Sequence, residues 1–67
     1  MKIEIGKKVK DTKAEYQDDE GTIEDIIDTS KGPYVVVEWG EKTIHGAGTY
    51  GRYRPKQFNM LGRFKSL

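Results

Sequence analysis

The stretch over residues 21–39, GTIEDIIDTSKGPYVVVEW, constrains the fold more than any other part of the chain. Two strand-like runs meet at a short polar turn, Thr29-Ser30-Lys31-Gly32-Pro33, and the second run alternates strictly. Val35, Val37 and Trp39 fall on one face, with Tyr34, Val36 and Glu38 on the other. Apolar groups at period two mark a half-buried strand and put the centre of the core there, each worth on the order of 2 kcal/mol when buried. Pro33 suits the opening of that strand, where a missing N–H is tolerated. In the first run Ile23 and Ile26 cannot share a face under strict alternation. This predicts a β-bulge between them, the alternative being that Ile27 takes the core position. With Lys8-Val9-Lys10 upstream and two short apolar runs downstream, the pattern predicts a small closed barrel of five antiparallel strands.

The flanking segments fill in that outline. Residues 7–10 form a first strand with Val9 inward, and residues 11–20 read as a long polar loop, mobile at its tip, whose only sizeable apolar group is Tyr16. Gly40-Glu41-Lys42 reads as a short hairpin loop leading to a fourth strand within residues 43–54, its limits blurred by Gly46, Gly48 and Gly51. Pro55-Lys56-Gln57-Phe58 predicts a single tight 3-10 turn. A last strand is then expected around residues 59–64, with Met60 or Leu61 and Phe64 returning to the core. No helix of ordinary length fits between the eight glycines.

Sixty-seven residues make one domain, residues 1–67, and a chain of this length hides only about 60% of its unfolded surface. Hydrophobic and charged residues each make up 34% of the chain, polar for a globular protein but too rich in Val, Ile, Tyr and Trp for a disordered one. Without cysteine, neither disulfides nor a thiolate metal site can reinforce the core. MKIEIGKKVK lacks a signal-peptide core, and nothing approaches the roughly 20 apolar residues of a membrane span. The expectation is a soluble cytoplasmic protein with no membrane or metal partner, whole from its methionine onward.

The net charge of +1 conceals an uneven layout. Residues 11–28 carry eight carboxylates against Lys13, a local charge of −7, whereas residues 42–67 carry six cations and no carboxylate. The two regions either present opposite faces to partners or fold against each other and cancel.

The order of a long first loop, then a brief turn before the final strand, is that of SH3-like barrels. Residues 5–26, with Lys8-Val9-Lys10, a loop, and Glu20-Gly21-Thr22-Ile23-Glu24-Asp25-Ile26, resemble the KOW motif of ribosomal proteins and transcription elongation factors. The hairpin Val35-x-Val37-x-Trp39-Gly40 is similar to the Tudor, CAP-Gly and Mind-bomb-type branches of the same superfamily. The resemblance implies a five-stranded SH3-like barrel that binds rather than catalyses. The acidic loop over residues 11–20 is longer than a KOW loop that touches nucleic acid, which implies contact elsewhere. Residues 46–51 lack the asparagine-containing groove signature of CAP-Gly domains.

Gly48-Thr49-Tyr50-Gly51-Arg52-Tyr53-Arg54-Pro55-Lys56 is the best functional constellation. If extended, it puts Tyr50, Arg52 and Arg54 on one face and Tyr53 toward the core. Arginine forks pair with phosphates and a tyrosine can stack on an unpaired base, so Lys42, Tyr50, Arg52, Arg54 and Lys56 form a candidate surface for DNA or RNA with low sequence preference. The alternative is a protein-interaction module in which Tyr16, Asp18, Asp19, Glu20, Tyr34 and Trp39 meet a basic or proline-rich partner.

No residue set names a reaction. His45 is the only histidine and reads as a surface or rim residue, since it has neither cysteine nor a second histidine with which to build a zinc or copper site. Asp18-Asp19-Glu20 lacks the ligand alternation of a calcium loop and reads as solvated charge. Ser30 and Ser66 have no triad partners. The expectation is a non-enzyme with no cofactor.

Overall fold

The computed structural model describes all 67 residues. Five strands, β1 (Lys8–Asp11), β2 (Glu20–Thr29), β3 (Gly32–Trp39), β4 (Tyr50–Tyr53) and β5 (Phe64–Ser66), form one antiparallel sheet in the order β4-β3-β2-β1-β5. Two 3-10 turns, Ala14–Tyr16 and Pro55–Phe58, sit in the connections before β2 and β5.

The β2–β3 hairpin follows from its turn chemistry. Ser30 and Lys31 form a two-residue loop between the paired Thr29 and Gly32, and Gly32 supplies the positive φ of 101° that a branched residue would resist. The Thr29 hydroxyl donates to the Gly32 carbonyl at 2.7 Å and accepts from the Lys31 N–H at 3.2 Å. The expected bulge is present: the register shifts between Ile23 and Asp25, so Ile23 pairs with Val37 and Ile26 with Val35. Ile26 therefore lies on the inner face, yet it is 42% exposed. β1 pairs with β2 only from Glu20 to Thr22 and β4 with β3 only from Val35 to Glu38, so the tip of the hairpin, residues 27–34, is two-stranded.

Val9, Ile23, Val35, Val37, Trp39, Phe58 and Phe64 form the core, with Ile3 and Tyr53 packed against it. Gly21 lies against Trp39, where a Cβ would stand 2.7 Å from the indole. Two expectations for the second half of the chain are corrected. Residues 40–49 form a ten-residue connection instead of a short hairpin loop, so β4 begins only at Tyr50. Neither Met60 nor Leu61 enters the core; they are 84% and 95% exposed. The chain turns tightly there, with the Gly62 N–H donating to the Asn59 carbonyl at 2.9 Å and the Leu61 N–H to the Asn59 side chain at 3.1 Å. Phe58, at the end of the second 3-10 turn, takes the core place instead.

The sheet is not closed by hydrogen bonds, because no ladder joins β4 to β5. Side chains fill that seam. The Tyr53 and Phe64 rings lie 4.4 Å apart and those of Phe58 and Phe64 4.7 Å, so aromatic packing holds the two short edge strands where a ladder would otherwise run. The architecture is all-β and compatible with a small barrel. No helix is long and apolar enough to cross a membrane.

Candidate functional site

Period two along β1 carries inward from Val9 to Asp11, whose side chain is fully buried. A carboxylate there must be paired. Arg63 grips it with both arms of its guanidinium, Nε to Oδ1 at 2.7 Å and Nη2 to Oδ2 at 2.6 Å. His45 Nε2 lies 2.7 Å from Oδ2, and the Lys13 N–H donates to Oδ1 at 3.0 Å. Burial by itself would push the Asp11 carboxyl up. The bonds from Arg63, His45 and the Lys13 N–H, together with the Arg63 charge, outweigh it and hold the group below the ordinary 3.8. The Asp11 bond likewise raises Arg63 against its own burial.

His45 is correspondingly not a rim residue. Its ring is sandwiched between Tyr16, at 3.7 Å and 7°, and Trp39, at 3.9 Å and 4°. The Asp19 carboxylate holds its backbone in place, accepting from the Ile44 N–H at 3.0 Å and the His45 N–H at 2.9 Å. Asp19 is thus 9% exposed and caps the long connection instead of being solvated charge. The Trp39 indole N–H donates to the Tyr53 hydroxyl at 3.2 Å, completing the cluster. A cleft of ≈ 270 Å³ opens beside it, between Tyr16, His45, Tyr50 and Arg63. Through Asp11, His45 and Arg63, β1 is tied to the 40–49 connection and to the residue that precedes β5. No three His, Cys, Asp or Glu side chains are placed to hold a metal ion.

This clasp has a pH signature. A group whose folded value lies below its unfolded one stabilises the fold fully above the unfolded value and loses that effect as pH falls through the folded one. The stability difference between the wild type and an Asp11→Asn variant is therefore expected to shrink as pH drops from about 5 toward 2 in urea titrations. A difference that stayed constant over that range would show that the carboxylate charge contributes nothing.

The other predicted residues are divided among three surfaces. Lys42 lies beside the acidic loop, in a cleft of ≈ 390 Å³ lined also by Gln17, Asp18, Asp19 and Glu20, and not beside the arginines. On the outer face of β2–β3–β4, Tyr50 donates to Glu38 Oε2 at 2.9 Å, and Arg52 stands across from Val36, which itself pairs with Asp25. Charge is interleaved there.

Arg54 and Lys56 do come together, and the β2–β3 turn adds Lys31, which sequence spacing did not single out. These three cations line a cleft of ≈ 330 Å³ with Gly32, Pro33 and Pro55, and no carboxylate lines it. Arg54 Nη1 donates to the Lys31 carbonyl at 2.9 Å and the Pro33 carbonyl at 3.3 Å, and the guanidinium lies 4.0 Å over the Tyr34 ring. Its Nη2 and Nε remain free to address an anion. Of the alternative set, Tyr16 is committed to His45 and Trp39 is 1% exposed, which leaves Asp18, Glu20 and part of Tyr34 as accessible surface. Compared with known proteins, the chain matches no family model, no curated protein and no solved structure.

Proposed function

We propose that the chain is a non-catalytic SH3-like binding module that holds DNA or RNA by the phosphate backbone, with little sequence preference. The observation that supports this is the carboxylate-free cleft of Lys31, Arg54 and Lys56. A guanidinium fork and two ammonium groups around one concavity match phosphate oxygens, and phosphate contacts position a strand without reading it. Tyr34, under Arg54, supplies an aromatic plane at the edge.

Three phosphate contacts predict a slope of log K against log salt of about −2 to −3 in anisotropy titrations with labelled oligonucleotides. Lys31→Ala with Lys56→Ala removes two of these without touching an internal bond and is expected to flatten the slope by about 2. Absence of binding at low salt, or a double variant that binds as the wild type does, overturns the reading.

The interleaved charge of Glu38, Asp25 and Arg52 favours a second reading, a protein-interaction module. Asp18 and Glu20 would there receive a basic segment at the acidic cleft. Capture of a lysine-rich peptide that is lost in Asp18→Asn with Glu20→Gln would support it.

A further inference from the structure

The turn over residues 59–62 presents Met60 and Leu61 almost wholly to solvent, 84% and 95% exposed, on a loop fastened at its base by the two Asn59 bonds. Large aliphatic side chains on a convex, backbone-fixed tip fill no groove of this chain and stabilise nothing in it. Their surroundings are cationic. Lys65 reaches from β5 so that its Nζ donates to the Met60 carbonyl, which places the tip on the outward side of β5. Lys65 pairs with Lys10 across the β1–β5 ladder, and Lys8 follows two residues away on the same face of β1. Leu67 continues the ladder through its N–H to the Lys8 carbonyl at 3.2 Å and is itself 57% exposed. Three lysines and three exposed aliphatic residues thus share the β1–β5 end of the molecule, with Glu20 as the acid flanking Lys10.

We propose that this end docks on an anionic lipid surface, Met60 and Leu61 entering the headgroup–acyl boundary while Lys8, Lys10 and Lys65 lie against acidic headgroups. Convex aliphatic tips need a soft apolar phase to enter, and ammonium groups around them need diffuse negative charge. A bilayer with acidic lipids supplies both at once. Nucleic acid supplies the second only, and this face offers it neither an arginine fork nor an aromatic plane. The proposal is independent of the Arg54 cleft, which lies at the β2–β3 turn.

Co-sedimentation with vesicles tests it. The protein is expected to pellet with phosphatidylcholine vesicles containing phosphatidylserine and roughly tenfold less with pure phosphatidylcholine. Met60→Ser with Leu61→Ser should weaken binding to the mixed vesicles by roughly tenfold, because the apolar insertion is gone. The urea midpoint and oligonucleotide binding of that variant should be unchanged, since both side chains are outside the core. Failure to pellet with the mixed vesicles overturns the proposal. So does a double variant that pellets like the wild type, which would reduce the contact to adsorption through lysines. Loss of oligonucleotide binding in place of vesicle binding would assign the tip to nucleic acid and overturn it equally.

Discussion

Asp11→Ala is expected to cost about 3–5 kcal/mol and to leave a domain of this size largely unfolded at room temperature. The magnitude follows from what stays behind. Arg63, which Asp11 holds by two bonds of 2.7 and 2.6 Å, would remain partly buried among Tyr16, Tyr53 and Phe64 with no counter-charge. His45 Nε2 and the Lys13 N–H would lose their acceptor as well. Asp11→Ala with Arg63→Met should recover part of the loss, because removing both partners strands no charge. Urea unfolding followed by tryptophan fluorescence reads both variants. A single variant within about 0.5 kcal/mol of the wild type would mean that the clasp is ornamental.

Trp39→Ala should cost a similar 3–5 kcal/mol, for a different reason. The indole is 1% exposed and touches three layers at once: the His45 ring above it, Phe64 at 6.0 Å, and Tyr53 through its N–H. Alanine would leave a cavity under His45 that the short edge strands cannot close. Trp39→Phe separates the contributions, since it keeps most of the packing and loses the indole N–H bond and part of the stack, for about 1–2 kcal/mol. If alanine and phenylalanine prove equally mild, the indole is not the centre of the core.

Much of the scaffold is legible from local periodicity. Val35, Val37 and Trp39 alternate and are buried, Pro55–Phe58 is the short turn its proline suggests, and the Ile23–Ile26 spacing requires the bulge that is found. The clasp is legible only in part. Asp11 stands two residues after Val9, so the alternation that puts Val9 inward also marks Asp11, once the strand is extended by one residue. Nothing local marks its partners. His45 and Arg63 are brought to Asp11 by loops 34 and 52 residues away, and such closures leave no trace in spacing. Met60 and Leu61 fail for the opposite reason: aliphatic type suggests core, but Phe58 already occupies the site. Lys31 was hidden because a hairpin turn, and not a strand face, carries it to Arg54.

The charge imbalance resolves in the same physical terms. Arg63 neutralises Asp11, Asp19 serves the backbone of Ile44 and His45, and Arg54 serves the β2–β3 turn. Part of each block is thus consumed in joining the acidic and basic segments. What stays available to a partner is smaller and more local than the linear count of charges suggests.

Because β1 takes β5 as its neighbour, and Asp11 depends on a side chain 52 positions later, the first strand is completed only by residues far along the chain. A nascent chain on the ribosome can form the β2–β3 hairpin early, but it must carry Asp11 unpaired until residues 63–66 clear the exit tunnel. A product that stops short of residue 63 therefore carries the hairpin without its closing partner.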